Sequence, residues 1–323
     1  MTAQSGQEPR PARCVACLSN RLEPRERART ADIARLWAGD TAIEASPQAL
    51  QATITGLVGG EHISIYGCAA CGLEMASPSA TWSGDTYPRQ GYYLAFDHAR
   101  ALAWLGGQPS QRVLELGCGD GLYLQAAAAL GHRATGLDFS EPAVANARAR
   151  GLDAHVGDVA ALRENLPTAA SFDVVALFQL LEHVADPDAL FADVAQVTHA
   201  GSRLFVGVPA PRRFSRVVRH AERAGRSDYW DWPPQHALRW TPAALETFLR
   251  RNGWEVDDSR AEPFSLRGAA AYIAAIDGHR GGWYGNPLIR RLRTAGIAAR
   301  LVAARLRGPV TGIRLFVSAR RVR

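Results

Sequence analysis

A glycine-rich segment offers the first recognisable chemistry in this sequence. Gly117, Gly119 and Gly121 alternate with other residues, after the short predicted strand 112–116 and before the alanine-rich stretch 122–130. Glycine lets the backbone turn sharply and approach a ligand without a Cβ in the way. The N–H groups that begin the following helix favour a carboxylate or a phosphate. The segment therefore predicts a cofactor-binding turn between a strand and a helix, although such a turn alone also suits NAD, FAD and nucleotides.

Two acids follow the next two predicted strands. Asp138 ends the predicted strand 134–137, and Asp158 comes after the predicted strand 154–156. In an open α/β sheet, an acid at the end of the second strand reaches the ribose hydroxyls of an adenosine cofactor. Asp158 could accept a hydrogen bond from the adenine amino group. Either acid could instead be a turn residue, but together, at these spacings, they favour an adenosine cofactor.

A second polar group could act on an acceptor. Glu182 and His183 follow the predicted fourth strand 172–178, and His236 lies in the later segment 229–236. Folds of this kind bind ligands at the carboxyl ends of their strands. A histidine can remove the proton from an acceptor hydroxyl, and a metal can assist that step. We predict Glu182, His183 and His236 as catalytic residues, with a purely structural role in these loops as the alternative.

Four of the five cysteines form two C-x-x-C pairs, which are Cys14 with Cys17 and Cys68 with Cys71. In a reducing compartment, two such pairs predict a tetrahedral Cys₄ zinc site. Four thiolates leave no open position, so the metal would be structural and would help to fold a segment with little core. The alternatives are four unrelated buried cysteines, or a redox pair, although neither pair lies at the start of a helix after a strand.

The residues around the cysteine pairs give further expectations. Gly72 suits the tight turn of a zinc knuckle, whereas Leu18, at the equivalent place after the first pair, is less typical. The fifty residues between the pairs are many for a zinc ribbon. They are predicted to contain a helix near 30–38 and a strand near 62–66.

The elements that would position these groups alternate between strands and helices, as in a doubly wound parallel sheet. Further helices are predicted over 92–105, 141–150, 186–199 and 242–252, and further strands over 203–208, 254–256 and 313–319. The last two strands should pair with each other. Residues 263–309 would then be an insertion between them.

The insertion contains a basic amphipathic stretch between residues 287 and 307. Its apolar residues fall near one helical face and arginines occupy the others; these apolar residues are Leu288, Leu292, Ala295, Ala299, Val302 and Leu306. No acid follows Asp277, while ten arginines lie between residues 290 and 323. The stretch predicts either peripheral contact with an anionic membrane surface or an ordinary surface helix that covers the sheet.

The composition narrows the class of protein. With 323 residues, 47% of them hydrophobic, the chain can bury one full α/β domain and a smaller module. All 37 basic residues are arginines, and against 31 acids they give a net charge of +6, too mild an excess to predict a specific nucleic-acid partner. Neither a secretion signal nor an apolar window of about 18 residues is evident. We expect a cytoplasmic protein that could also associate with the inner membrane surface.

Several motifs resemble those of class I S-adenosylmethionine-dependent methyltransferases over most of residues 110–262. They are Glu115-Leu-Gly-Cys-Gly-Asp-Gly121, Gly136-Leu-Asp138, Gly157-Asp158, Phe172-Asp-Val-Val175 and Leu181-Glu-His-Val184. The resemblance implies a Rossmann-like, doubly wound, mostly parallel seven-stranded α/β sheet, with a small N-terminal zinc-ribbon-like module beside it. It also implies S-adenosylmethionine as the cofactor, with Glu115 helping to hold the amino group of its methionine part. Cys118 is then neither a metal ligand nor a nucleophile.

The resemblance fixes the predicted sites and segments. The cofactor site comprises Glu115, Gly117, Cys118, Gly119, Gly121, Asp138, Phe139, Asp158, Val159 and Gln179. The predicted segments are 1–90, a disordered start plus the Cys₄ module; 91–262, the methyltransferase domain; 263–309, the basic helical insertion; and 310–323, the last strand.

Some O-methyltransferases of this class, including ubiquinone-pathway enzymes and small-RNA 2′-O-methyltransferases, use a similar E-x-x-E-H and a later histidine to hold a divalent metal. Here Gln179 replaces the first acid, which puts a catalytic metal in question.

The cysteine module joined to this domain resembles a bacterial subgroup that modifies sugars, polysaccharide precursors or other secondary metabolites. The predicted function is O-methylation of a small molecule, a sugar or a lipid-linked glycan precursor. The alternative is an RNA methyltransferase that binds RNA through the cysteine module and the arginine-rich tail. The modest charge excess and the lack of an aromatic-basic face on the module argue against RNA. The intact cofactor motifs argue against a scaffold without catalysis.

Overall fold

The structure is a computed structural model that describes residues 10–37, 45–82, 93–165, 171–222, 231–280, 282 and 284–322. Residues 1–9, predicted to be disordered, lie outside the described residues. So do residue 38 of the predicted helix near 30–38, residue 92 of the predicted helix 92–105, and residues 229 and 230 of the predicted acceptor segment.

The N-terminal cysteine module is a small antiparallel sheet with two helices on it. In chain order its elements are β1 (Leu22–Arg29), α1 (Thr30–Trp37), α2 (Pro47–Val58), β2 (His62–Cys68) and β3 (Glu74–Ser77). The helices pack on the sheet through Ile33, Trp37 and Ile54, which contact Ile63 and Ile65 of β2. The helix and strand predicted near residues 30 and 62 are confirmed, whereas β1, α2 and β3 were not predicted.

The rest of the chain forms the main sheet and its covering helices. The remaining strands are β4 (Arg112–Leu116), β5 (Arg133–Asp138), β6 (Asp153–Val156), β7 (Phe172–Phe178), β8 (Thr198–Pro209), β9 (Leu238–Arg239), β10 (Trp254–Ala261) and β11 (Arg314–Arg321). The remaining helices are α3 (Phe96–Leu105), α4 (Leu122–Ala129), α5 (Glu141–Ala149), α6 (Val159–Asn165), α7 (Pro187–Gln196), α8 (Phe214–Glu222), α9 (Pro242–Arg251), α10 (Leu266–Arg280) and α11 (Pro287–Leu306).

The main sheet has seven strands in the order β10-β11-β8-β7-β4-β5-β6. The central pairs are parallel, and β11 runs antiparallel between β8 and β10. The predicted α/β fold, with a mostly parallel seven-stranded sheet, is confirmed, as is the pairing of the last two strands. Several predicted boundaries shift. Helix α7 ends at Gln196 rather than near residue 199, because β8 begins at Thr198 rather than at 203. Strand β10 continues to Ala261 rather than ending at 256.

Strand β7 shows why the sheet is stable. Val175 and Leu177 face one hydrophobic core, whereas Val174, Ala176 and Phe178 face another on the opposite side of the sheet. Alternate residues of a strand point to opposite faces, and a strand in a parallel sheet that is covered by helices on both faces is apolar throughout. The prediction that this strand is buried on both faces is confirmed.

Strand β9 joins the two parts of the protein. Leu238 pairs with Met75 and Arg239 pairs with Glu74, so β9 becomes the fourth strand of the module's sheet. Cys14 and Cys68 also lie in one continuous core with Trp240 of the main domain. The cysteine module therefore packs directly beside the segment predicted to receive the acceptor.

The insertion between β10 and β11 contains two helices. The prediction of α11 is confirmed, but α10 was missed. Both helices pack with α8 in a separate core that includes Phe214, Ile273, Ile297 and Leu301. The packing partners of α11 are thus α10 and α8 rather than the main sheet, which contradicts the alternative that it covers the sheet. None of the described helices combines the length and the hydropathy needed to cross a membrane.

Candidate active site

The glycine turn lies where the strand order of the main sheet reverses. From β4 the chain runs outward through β5 to β6 and then returns to β7 on the other side of β4. Such switch points form crevices that bind ligands. Gly117, Gly119 and Gly121 have φ of 76°, 51° and 79°, in the left-handed region that side chains other than glycine rarely adopt. A Cβ on Gly121 would also lie 2.5 Å from a methyl carbon of Leu152. The backbone of the turn therefore requires glycine.

Glu115 sits inside β4, immediately before this turn. Its side chain is buried, and its Oε2 atom has no hydrogen-bond partner in the described part of the chain. Burial raises the pKa of Glu115 well above its ordinary value, and the nearby Asp138 and Asp97 carboxylates raise it further. A buried polar atom without a partner requires an explanation, and a cationic group of a ligand would provide one.

The two acids expected to bind the adenosine part are both engaged with the backbone. Asp138 accepts hydrogen bonds from the N–H groups of Gly119, at 2.9 Å, and Ser140, at 2.8 Å. Asp158 accepts from the N–H of Ala161 at 2.9 Å and so caps the start of α6. Both acids therefore act as turn residues, which was the alternative interpretation of the sequence. Contacts to ribose and adenine would use their remaining lone pairs.

The other predicted cofactor residues differ in how they are placed. Phe139 is 61% exposed beside Asp138, where its ring could pack on a base. Val159 is buried. Cys118 packs with Leu124 of α4 and Val144 of α5, and burial raises the pKa of its thiol. The side chain of Cys118 therefore belongs to the helix packing.

Gln179 follows β7 on the other side of the crevice. Its φ is 53°, a left-handed conformation that costs about 1–3 kcal/mol for a residue other than glycine and is typical of functional sites. Two hydrogen bonds hold it: its N–H donates to the Gly207 carbonyl at 2.8 Å, and its Nε2 donates to Asp97 Oδ2 at 3.1 Å.

The structure brings the three predicted catalytic residues together. Glu182 and His183 lie on a short 3₁₀ turn after β7, and His236 comes from the segment before β9. A donor atom of each lies within 4.8 Å of the others, and the two imidazole rings are 5.0 Å apart. A backbone hydrogen bond joins the 3₁₀ turn to the segment before β9, because the Ala237 N–H donates to the Glu182 carbonyl at 2.9 Å.

Burial sets the protonation of this cluster. It raises the pKa of Glu182 to about 8, with a contribution from Asp97, although neighbouring arginines oppose the rise. Burial also lowers the pKa of His183 to about 3, and the His236 imidazole adds to this. The pKa of His236 is lowered by burial too, against the opposing Asp231 carboxylate. Both imidazoles are therefore neutral near pH 7, and neither carboxylate oxygen of Glu182 has a hydrogen-bond partner in the described part of the chain.

Comparison with known proteins identifies the family. The family described as "Methyltransferase domain" matches residues 88–259, slightly more than half of the chain. This chain belongs to that family. The predicted assignment as an S-adenosylmethionine-dependent methyltransferase is thereby confirmed.

Curated relatives of this methyltransferase include ubiquinone biosynthesis O-methyltransferases. The protein from Nitrosococcus oceani is 29% identical over 177 residues, which cover 51% of this chain and 71% of the relative. The protein from Hahella chejuensis is 37% identical over 103 residues, which cover 30% and 42%. The protein from Xanthomonas euvesicatoria is 32% identical over 161 residues, which cover 46% and 64%. The last two matches span less than two thirds of those relatives.

Solved structures resemble this methyltransferase more distantly. One is an S-adenosylmethionine-dependent methyltransferase from Mesorhizobium loti, at 22% identity and a TM-score of 0.44, covering 70% of this chain and 98% of that one. Another is a putative sarcosine dimethylglycine methyltransferase from Galdieria sulphuraria, at 15% identity and a TM-score of 0.45, covering 70% and 84%. Likeness at this level says nothing about the acceptor.

The pocket of the methyltransferase domain fits its cofactor. The carboxyl of Glu115, without a partner, suits the ammonium group of the methionine part, and the glycine turn leaves room for a ligand to approach the backbone. Asp138 stands at the position expected for the ribose hydroxyls. These are the features that the sequence predicted for S-adenosylmethionine.

The cysteine cluster fits a zinc ion. The Sγ atoms of Cys14 and Cys71 are 3.6 Å apart, and those of Cys17 and Cys68 are 3.5 Å apart. All four sulfurs lie within 4.8 Å of one another. Zinc–sulfur bonds of about 2.3 Å in a tetrahedron place sulfurs at about these separations.

The two halves of the cysteine cluster have the same local geometry. The Leu18 N–H donates to the Cys14 carbonyl and the Gly72 N–H to the Cys68 carbonyl, both at 2.9 Å. Leu18 has φ of 62° and Gly72 has φ of 78°. The leucine that was less typical in the sequence therefore adopts the left-handed conformation that the knuckle requires.

The cluster of Glu182, His183 and His236 is also a possible donor set for a divalent metal, since one carboxylate and two imidazoles suit such ions. The partnerless oxygens of Glu182 fit this interpretation. Gln179, at the position of the first acid in the E-x-x-E-H pattern, donates a hydrogen bond from its Nε2 to Asp97.

Sequence reasoning missed two buried acids around the site. Asp231 lies 3.6 Å from His236 Nδ1 and pairs closely with the guanidinium of Arg213. Although burial opposes it, the arginine holds the pKa of Asp231 well below its ordinary value. Asp231 fell within the predicted acceptor segment 229–236, and its place beside His236 was the available signal.

The second missed acid, Asp97, lies in the first turn of α3 and is fully buried. It receives hydrogen bonds from Gln179 and from the backbone N–H of His98, and its Oδ1 is 3.4 Å from Arg314 Nε. A Cβ on Gly207 would lie 2.3 Å from its carboxylate. Nothing in the local sequence marks Asp97, because its partners other than His98 come from distant segments of the chain.

Proposed function

We propose that this methyltransferase transfers the methyl group of S-adenosylmethionine to a hydroxyl oxygen of a small molecule. The observation that carries the proposal is the buried cluster of Glu182, His183 and His236 beside the glycine turn. A hydroxyl acceptor has to lose its proton as the new bond forms, and neutral imidazoles can take that proton. The relatives named as ubiquinone biosynthesis O-methyltransferases support a small-molecule hydroxyl as the acceptor.

The cofactor, when bound, supplies an electrophilic methyl group on a positively charged sulfur. This chain holds the two reactants in line and keeps water out, which matters because the charge on sulfur disperses during transfer. Glu115 would hold the ammonium group of the methionine part, Asp138 the ribose hydroxyls and Phe139 the adenine. Gln179 and the turn after it form the wall between cofactor and acceptor.

His236 is the proposed general base. Asp231 Oδ1 lies 3.6 Å from its Nδ1, and an acid on one ring nitrogen favours the tautomer whose other nitrogen can accept a proton. His183 is held by backbone oxygen atoms instead, since its Nδ1 contacts the Gln235 carbonyl. The deep burial that makes His183 a very weak base suits a residue that shapes the acceptor pocket.

The decisive experiment follows a labelled methyl group from S-adenosylmethionine to phenolic, catecholic and sugar acceptors. Mass spectrometry of the product distinguishes a methyl ether from a methylated amine. His236→Gln should lower kcat by about 10²- to 10⁴-fold and leave cofactor affinity unchanged. His199→Gln is the matched control, because this histidine is exposed and pairs with Asp173 away from the cluster. Methylation of nitrogen, or an unchanged kcat in His236→Gln, would refute the proposal.

A divalent metal at the cluster is the second possibility that the geometry supports, with Glu182, His183 and His236 as ligands. Dialysis against a chelator that leaves the cysteine-bound zinc in place should then abolish transfer, and Mg²⁺ or Zn²⁺ should restore it. Full activity without added metal would assign the proton transfer to His236 alone.

We propose a structural zinc ion on Cys14, Cys17, Cys68 and Cys71, in a module that occupies residues 1–90. Residues 91–262, 263–309 and 310–323 would be the methyltransferase domain, the insertion and the last strand. A closed set of four sulfurs has no position for an acceptor, so the ion would stabilise the surface against which β9 and the acceptor segment pack.

A further inference from the structure

Helix α11 exposes an apolar stripe that nothing in the described part of the chain covers. The stripe comprises Leu288, Leu292, Ala295, Ala299, Val302 and Leu306, spaced alternately by four and three residues. This spacing places them on one face of the helix. All six are exposed, with Leu288 and Leu292 at 67% and Leu306 at 85%.

The face of α11 that packs on the protein is a different one. The buried residues of the helix are Ile297 and Leu301, which lie opposite the stripe at 3.6 residues per turn. The stripe therefore does not arise from residues that dock α11 on α10 and α8. A soluble surface helix normally places its apolar residues toward its own core and its charged residues toward water, and α11 has apolar residues on both faces.

Arginines border the stripe on both sides. Arg291 and Arg305 lie on one side of the stripe, and Arg300 and Arg307 lie on the other, again from the helical periodicity. From residue 263 to the end of the chain the one acid is Asp277. A second copy of the chain docked stripe to stripe would bring these arginines against one another, so charge disfavours self-association through this face.

A groove beside the stripe has the same chemistry. It lies between α10 and α11 and has a volume of about 690 Å³. Its lining includes five alanines together with Arg267, Arg290 and Arg291. An apolar groove with guanidinium groups at its margin suits a phosphate group attached to hydrocarbon. The exposed leucines and the groove would thus both suit a molecule that carries a phosphate group on a hydrocarbon chain.

We propose that α10 and α11 bind the surface of an anionic phospholipid membrane, with the stripe inserted among the acyl chains and the arginines on the lipid phosphates. Apolar burial combined with attraction of Arg to anionic lipids is the usual basis of such binding. The helix lies along the surface, since no described helix can cross a membrane.

The position of the insertion links this surface to the candidate site. It leaves the main sheet after Ala261 and returns at Arg314, which pairs with Pro209 at the carboxyl end of β8. Arg314 also lies 3.4 Å from Asp97, behind Gln179. The membrane surface and the crevice thus belong to the same edge of the sheet, where an acceptor embedded in the bilayer could enter. This link to the acceptor rests on the proposed function, whereas membrane binding itself does not.

Vesicle flotation with the full chain tests the proposal without any methyl transfer. The protein should float with vesicles that contain phosphatidylglycerol and remain unbound with vesicles of phosphatidylcholine alone. Combined Leu288→Gln, Leu292→Gln and Leu306→Gln should lower the bound-to-free ratio at least about tenfold. The matched control is Leu57→Gln with Leu130→Gln, two leucines that are also exposed but lie on α2 and at the end of α4.

A second variant separates charge from apolar insertion. Arg290→Gln with Arg291→Gln should weaken binding to the anionic vesicles, and added salt should weaken wild-type binding in the same way. Equal binding to both kinds of vesicle, no binding to either, or undiminished binding by the triple leucine variant would overturn the proposal. So would light scattering that shows a dimer abolished by the leucine substitutions, because the stripe would then be an interface between copies. Thermal unfolding of each variant verifies that it remains folded.

Discussion

Replacing Glu115 with glutamine should weaken the binding of S-adenosylmethionine far more than it disturbs the protein. Glu115 is buried, and burial together with two neighbouring carboxylates raises its pKa, which favours the neutral acid in the free protein. Glutamine resembles that neutral acid in size and polarity. In the complex, however, the ammonium group of the cofactor requires the carboxylate.

The size of the effect follows from the lost interaction. A buried hydrogen bond to a charged group contributes about 1.5–3 kcal/mol, and 1.36 kcal/mol corresponds to a factor of ten. Glu115→Gln should therefore raise the Kd for S-adenosylmethionine by about 10- to 150-fold. The Kd for 5′-methylthioadenosine, which lacks the amino-acid part, should stay the same. Isothermal titration calorimetry measures both, with the exposed Glu246→Gln on α9 as the control variant.

The pH dependence gives an independent check. Binding of the ammonium group removes the proton from Glu115, so wild-type affinity should rise with pH up to the raised pKa of the free protein. Glu115→Gln should remove this rise. The stability of the free protein should respond in the opposite direction: a carboxyl whose pKa is raised by folding contributes stability below its unfolded pKa, and that stability is lost as pH rises through the folded pKa. An equal loss of affinity for both ligands would refute the assignment of Glu115 to the amino group.

Three further outcomes are expected. Mass spectrometry of the purified protein should find about one zinc ion per chain. Cys71→Ser should lose the ion and unfold the module, whereas Cys118→Ser should retain it. A wild-type protein that is fully folded without zinc would contradict the Cys₄ site. Gly121→Ala should lower the free energy of unfolding by about 2–5 kcal/mol, because alanine brings left-handed strain and overpacking. Gly131 has a similar φ but open space around it, so Gly131→Ala should show only the strain. Equal losses of stability for the two variants in denaturant titrations would argue against the contact with Leu152. Asp231→Asn should cost about 3–5 kcal/mol because Arg213 is left buried without its ion pair, while Asp257→Asn at the exposed partner of Arg203 should change stability by less than about 0.5 kcal/mol.

The main sheet could be predicted because its signals are local. Apolar runs such as 172–178 mark buried strands, and glycines at positions 117, 119 and 121 mark a turn whose φ angles only they adopt readily. Most element boundaries in the main domain were therefore close to those observed. The spacing of Glu182, His183 and His236 after predicted strands was enough to bring them to one edge of the sheet.

The parts that were missed depend on contacts between distant segments. Strand β1 is mostly charged and polar, with little apolar alternation to mark it, and it forms a strand because β2 pairs along its whole length. Asp97 reaches the site through the packing of α3 on the sheet and the space left by Gly207. Helix α2 was a different kind of miss, because Ser46 caps it and Pro47 begins it, a local signal that was present in the sequence.

The two-residue strand β9 also constrains how the protein is made. The module's own strands are synthesised first, and until residues 238 and 239 leave the ribosome, β3 has an unpaired edge. Unpaired edge strands are templates for aggregation, and residues 78–237 have to be synthesised before this edge is covered. Nascent chains that stop short of β9 therefore expose this edge. A two-residue pairing near the end of the main domain completes a sheet whose other three strands are made at the beginning of the chain.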